Sequence, residues 1–190
     1  MQKKDNQFLV MFDRDGTLIV EKNYLSNPDE VELFPQTNSS LLALQKMGGQ
    51  IAIVSNQSGV GRGYFSTSEM NAVNKRMEDD LSQAGILVSG IYCCPHAPEA
   101  GCACRKPRTQ LLEKAAALSD LPLETSYMIG DKNSDIEAGK NAGAKTILVI
   151  SGYGAEAHKQ GCNPDWLARD LSEVVQIIGA DRIVNGSTES

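Results

Sequence analysis

"FLVMFDRDGTL" (Phe8–Leu18) runs five apolar residues straight into two aspartates, Asp13 and Asp15, with Gly16 and Thr17 directly behind. An apolar run without alternation reads as a strand covered on both faces, the kind parallel sheets use. Asp-Gly is a turn former, and a strand-ending turn accounts for one of the aspartates. It does not account for "GDKNSD" (Gly130–Asp135), a second acidic group behind a second apolar run.

The same pattern extends along the chain. Strands are predicted at Phe8–Phe12, Ile51–Val54, Ile91–Cys93, Ser126–Gly130 and Thr146–Ile150. Helical spacing falls between them, at about Asn38–Met47, Ser66–Ala84, Thr109–Ala117 and Ser134–Ala142, with a last helix near Leu171–Ile178. The closing "NGSTES" (185–190) is polar and reads as a frayed, flexible tail. Strand-helix alternation implies an α/β fold with a Rossmann-like, doubly wound parallel sheet. In such sheets ligands bind beyond the carboxyl ends of the strands, which puts Asp13, Ser55 and Asp131 on one rim. With no repeat or linker, residues 1–190 read as a single domain.

Composition narrows the function. A net charge of −6 argues against a nucleic-acid partner, because phosphate backbones demand a basic surface. It leaves room for a small phosphorylated substrate, which feels only the local field. No apolar stretch reaches the roughly 20 residues of a membrane span, so no membrane partner is expected. "MQKKDNQ" leads into an apolar run too short for a signal peptide, so the expected location is the cytoplasm. Four of the five cysteines crowd into residues 93–104, which in a cytosolic chain suggests metal binding rather than disulfides.

Carboxylates gathered on one rim repel one another unless a cation sits among them, and Mg2+ is the hard cation that oxygen ligands suit. It also screens a phosphate, so that a carboxylate can attack phosphorus and form an aspartyl-phosphate. A second carboxyl two residues on, facing the same way, can protonate the leaving oxygen and then deprotonate water.

"CCPHAPEAGCACRKP" (Cys93–Pro107) offers Cys94, His96, Cys102 and Cys104. Three thiolates and an imidazole complete a tetrahedral Zn2+ shell with no open position, so this Zn2+ is structural. Cys93 could replace Cys94 as the ligand. The ion pins a Pro- and Gly-rich loop and aims Arg105 and Lys106 at the substrate.

"DRDGTL", "SNQSG", "CRKP" and "GDKNSD" resemble, in order and spacing, the four motifs of haloacid dehalogenase superfamily phosphatases, over about residues 8–150. That resemblance implies Asp13 as nucleophile and Asp15 as general acid/base. It implies Mg2+ on Asp13, the Asp15 carbonyl and Asp131, with Ser55 and Lys106 holding the phosphoryl group. Asp135 is expected to support Lys106 or the metal, or simply to face a helix N-terminus. The two usual cap insertions are short here, which implies a capless member. "DRDGT", "NQSGVGRGYF" and the zinc loop together look like the D-glycero-D-manno-heptose 1,7-bisphosphate 7-phosphatase family, which feeds nucleotide-activated heptose and lipopolysaccharide synthesis. The related histidinol-phosphate phosphatases share the zinc loop, and a zinc-stapled interaction module is the non-enzymatic alternative. On the heptose reading, the substrate residues are Arg14, Glu21, Lys22, Asn23, Tyr24, Asn56, Gln57, Ser58, Arg62, Arg105 and Lys132. Arg62 could equally be a solvated loop charge. Where that family usually has Asn, near the substrate loop, this chain has Ile19. A monomer is expected.

Overall fold

The computed structural model describes residues 7–186. Its elements follow in the order β1 (Phe8–Phe12), α1 (Thr37–Lys46), β2 (Gly49–Asn56), α2 (Ser58–Gly61), α3 (Thr67–Gln83), β3 (Val88–Cys94), α4 (Gln110–Ser119), β4 (Tyr127–Gly130), α5 (Asn133–Asn141), β5 (Lys145–Val149), α6 (Gly154–Lys159), β6 (Trp166–Ala168) and α7 (Leu171–Gly186). The strands form one sheet in the order β3-β2-β1-β4-β5-β6, every pair parallel.

Side-chain alternation along β1 splits the core into two layers. Phe8, Val10 and Phe12 face α1, α3 and α7 through Leu41, Leu44, Val73, Met77, Val174 and Ile178. Leu9 and Met11 face α4 and α5 through Leu112, Ala115 and Ala138. Both faces are covered, which is why β1 carries no polar residue until it leaves the sheet. β1 lies between β2 and β4, where the strand order reverses direction, so the chain opens a crevice at its carboxyl end.

The predicted strands and helices all form, most of them a few residues longer or shifted. Three elements escaped the sequence reading. α2 and α6 are too short for a helical period to show, and β6 is a three-residue edge strand. α7 continues beyond Ile178 to Gly186, so Asn185 and Gly186 of the tail are helical, and Ser187–Ser190 lie outside the described residues. No helix among the described residues is long and apolar enough to cross a membrane.

The segment between β1 and α1 is short and tied to the core. Ile19 is fully buried among Leu18, Leu25 and Val31, bridges Asp15 and Leu33 through its backbone, and does not line the cavity. It therefore occupies a packing position rather than the cavity wall.

Candidate active site

β1 and β2 deliver Asp13 and Ser55 to the wall of a cavity of about 340 Å3, and β4 runs into Asp131, whose carboxylate lies within 4.8 Å of those of Asp13 and Asp135. Asp13 is still held by the sheet: its N–H donates to the Ile129 carbonyl at 2.8 Å, so the carboxylate leaves the strand from a fixed backbone. Lys106 enters from the loop before α4 and is buried between two carboxylates. Its Nζ stands 3.0 Å from Asp13 Oδ1 and 2.7 Å from Asp135 Oδ1, and donates to the Val54 carbonyl at 2.6 Å.

Electrostatics follow from that burial. Desolvation works against the charge on Lys106, but Asp13 and Asp135 outweigh it and hold its pKa above the ordinary lysine value. Desolvation likewise opposes the Asp13 charge, yet Lys106 and Lys132 keep that carboxyl below the usual range. Asp131 has only a weaker partner, Lys132, whose Nζ stands 3.9 Å from its Oδ1. Burial first, and then the Asp13 charge, push it up to about 7.

The carboxylate oxygens of Asp13, Asp131 and Asp135 lie within 4.8 Å of one another. Asp131 Oδ2 accepts from the Tyr153 N–H at 2.8 Å, while Oδ1 is buried without a hydrogen-bond partner. A buried orphan carboxylate oxygen is costly unless a cation completes it, and the all-oxygen set is what Mg2+ takes. Asp135 pairs with Lys106 and accepts from the Lys132 N–H at 3.0 Å, so of the three carboxylates it is the one most engaged by the protein, and Asp13 and Asp131 could hold the cation. The main chain closes on Asp131 from two sides. A Cβ at Gly16 (φ +82°) or at Gly152 (φ +52°) would stand 2.2 Å from Asp131 Oδ2, so both positions require glycine.

Asp15 is bound differently. Arg14 donates from Nε to Asp15 Oδ2 at 3.0 Å and from Nη2 to Oδ1 at 3.1 Å. Gln57 Nε2 donates to the same Oδ2 and to Ser55 Oγ, both at 2.8 Å. Arg14 and Gln57 thus direct their polar groups to Asp15 and Ser55, although both line the cavity. Asn56 also turns inward: it accepts from the Lys106 N–H at 3.0 Å and donates to the Lys106 carbonyl at 3.1 Å, fixing the loop that carries the lysine.

The zinc quartet is assembled. Cys94 Sγ is 3.6 Å from His96 Nδ1 and 3.5 Å from Cys102 Sγ, while Cys104 Sγ is 3.3 Å from His96 Nδ1 and 3.6 Å from Cys102 Sγ. Two sulfurs each about 2.3 Å from a tetrahedral ion stand about 3.8 Å apart, so the four atoms fit Zn2+. Strand alternation decides between the neighbouring cysteines. Cys94 faces the α4 layer and the quartet, whereas Cys93 points to the other face and accepts from Asn74 Nδ2 at 3.4 Å. Arg105 and Lys106 follow Cys104 directly in the chain, so the quartet sits immediately before that pair. Arg108 adds a brace from the far side, donating to the Gly101 and Cys102 carbonyls.

The loop after β1 supplies Glu21, Asn23 and Tyr24 to the cavity wall, which Ser58, Arg105 and Lys132 also line, with Lys132 Nζ 3.4 Å from Glu21 Oε2. Asn23 (φ 46°) and Tyr24 (φ 61°) are consecutive left-handed residues. The turn is held by the Asn23 N–H donating to Glu21 Oε1 at 2.9 Å and by the Tyr24 ring packing edge-on against Tyr64. Two expected contacts lie elsewhere. Lys22 bridges to Glu32 at 3.0 Å and to the Glu30 carbonyl, and Arg62 is exposed outside the cavity lining. Sequence reasoning passed over Tyr153, whose ring lies under Lys132 Nζ and whose hydroxyl donates to Asn23 Oδ1 at 3.3 Å. Its position behind β5, on the same rim as Asp13 and Asp131, was the available signal.

Comparison with known proteins agrees with this geometry. A family model described as HAD-hydrolase-like matches residues 103–174. D-glycero-beta-D-manno-heptose-1,7-bisphosphate 7-phosphatase of Helicobacter pylori is 37% identical over 142 residues, 74% of this chain and 82% of that one. The Bordetella bronchiseptica enzyme of the same name is 33% identical over 171 residues, 88% of this chain and 96% of that one. A crystal structure of D,D-heptose 1,7-bisphosphate phosphatase from B. bronchiseptica, complexed with magnesium and phosphate, superimposes with a TM-score of 0.86 at 31% identity, covering 92% of this chain and 99% of that chain. Four motifs, one rim and full-length relatives converge: the chain belongs to the haloacid dehalogenase superfamily, in the family of the D-glycero-D-manno-heptose-1,7-bisphosphate 7-phosphatases.

Proposed function

We propose that this protein hydrolyses the C7 phosphate of D-glycero-D-manno-heptose 1,7-bisphosphate, on the route to nucleotide-activated heptose. An Asp13 oxygen attacks phosphorus while Ser55 and Lys106 hold the phosphoryl oxygens. The bond to the C7 oxygen breaks, and Asp15 gives that oxygen its proton. Asp15 then takes a proton from water, which attacks the aspartyl-phosphate, frees phosphate and restores Asp13. Mg2+ on Asp13, Asp131 and the Asp15 carbonyl neutralises phosphoryl charge when bound. Zn2+ on Cys94, His96, Cys102 and Cys104 holds the loop that carries Lys106. The acidic charge and five cysteines that form no disulfide suit a cytoplasmic monomer acting on a small metabolite.

One observation carries the choice of a bisphosphate. Arg105 lines the same cavity as Lys106, and its Nη1 is buried without a hydrogen-bond partner. A guanidinium with a free donor beside the reacting centre suits a second phosphate, held through two hydrogen bonds. Arg105→Ala is therefore expected to lower kcat/KM for the 1,7-bisphosphate by about tenfold or more, since charge-assisted bonds are worth roughly 1.5–3 kcal/mol. Heptose 7-phosphate turnover should change little. Equal losses on both substrates would instead make Arg105 a residue of the reaction centre.

A further inference from the structure

The inner stripe of α3 contains a residue that does not belong to it by hydropathy. Met70, Val73, Met77 and Leu81 are buried there, and so is Asn74, only 7% exposed. A carboxamide in such a stripe is unfavourable unless its polar atoms are matched. Here both ends are. Oδ1 accepts from Arg14 Nη1 at 2.7 Å, and Nδ2 donates to Cys93 Sγ. Asn74 does not line the cavity, so it has no route to the substrate except through Arg14.

Arg14 uses its other edge for the reaction centre. Nε and Nη2 fork onto Asp15, and Nη2 also donates to Gln57 Oε1 at 2.9 Å. Those contacts all lie along one side of a planar group, so alone they leave the guanidinium able to tilt about that side. Asn74 holds the opposite corner. A planar fork pinned at both sides has one orientation, and the carboxyl it grips has one plane.

We infer that Asn74 is a positioning residue, which acts through Arg14 to set the plane of the Asp15 carboxyl for proton transfer. This rests on Asp15 as the general acid/base. It explains why the residue between the two aspartates is a buried arginine, and why α3 carries an amide at a core position.

The test uses the Mg2+- and Zn2+-loaded enzyme and heptose 1,7-bisphosphate. Asn74→Leu removes the acceptor at similar volume, and should lower kcat about tenfold or more with KM within about twofold, the pattern of lost alignment rather than lost binding. Asn74→Asp keeps an oxygen facing Arg14 Nη1 and should recover most of the lost kcat. In an Arg14→Lys background, Asn74→Leu should add less than about twofold, because residues acting as one unit are not additive. Zinc content and melting temperature are measured alongside, and Asn74→Ser, which shortens the side chain without an apolar insert, replaces the leucine variant if that fails to fold. Wild-type kcat in Asn74→Leu, a full additive loss in the double variant, or the same kcat loss from Cys93→Ala would overturn the inference. Asp15→Asn separates the two levels. Undiminished turnover there removes the acid/base reading itself, whereas an inactive Asp15→Asn beside an unaffected Asn74→Leu removes only the role of Asn74.

Discussion

The two sides of the cavity are held in place by opposite means. On the β1–β4 side, Asp13 and Asp131 follow directly from strands whose backbones are paired in the sheet, and Asp131 is packed against glycine main chain. On the other side, residues 95–106 form neither strand nor α-helix, yet they place Lys106 within 3.0 Å of Asp13. There the sheet is replaced by a thiolate-imidazole quartet, the Asn56 clamp and the Arg108 brace. A strand end needs no help to hold a side chain. A loop has to offset its conformational entropy with cross-links, and a metal held by thiolates and an imidazole can supply them.

The largest expected effect lies on the strand side. Asp13→Asn should lose measurable phosphate release, because an amide oxygen is too weak a nucleophile, while the melting temperature stays within a few degrees of wild type. Near-wild-type release would remove Asp13 from the nucleophile's place. Asp15→Asn comes next, with a kcat loss of about 100-fold or more and substrate affinity largely kept, the size expected for lost general acid/base catalysis. Titration calorimetry on the inactive protein would read the retained affinity.

Metal removal sharpens the contrast between the two sides. Withdrawing Mg2+ should stop turnover and leave the melting temperature nearly unchanged. Withdrawing Zn2+ should lower both together, by about 3 kcal/mol or more in stability, or about 6–12 °C for a chain of this size. Melting curves and activity, recorded with metal content by elemental analysis, decide it. A zinc-free protein that keeps its melting temperature would mean that the loop is held by the Asn56 and Arg108 contacts alone.

The smallest effect belongs to neither side. Ser66 and Glu69 form a capping box at the start of α3, with Ser66 Oγ accepting from the Glu69 N–H at 3.2 Å. Ser66→Ala should cost about 1 kcal/mol, or about 2–4 °C, without changing kcat. A kcat that falls with it would show that the end of α3 transmits strain to Asn74.

Much of this protein was legible in its sequence. Buried parallel strands need unbroken apolar runs, and ligand groups collect where such runs end, so Phe8–Phe12 followed by Asp13 and Asp15 already implied the sheet, the rim and the carboxylate chemistry. The zinc quartet was legible too, since its ligands sit within eleven residues and local chain geometry brings them together. Short elements without a full period, such as α2, α6 and β6, carried no readable signal. Only the tertiary structure decided the contacts that join distant segments. Arg14 and Asn74 are sixty positions apart, Asn56 and Lys106 fifty, and neither pairing leaves a trace in local pattern. It also turned Cys94 rather than Cys93 toward the quartet, buried Ile19 in the core, and sent Lys22 and Arg62 away from the cavity. Local sequence sets which way a strand's faces alternate, but what stands opposite each face is settled only when the sheet and its two helical layers pack together.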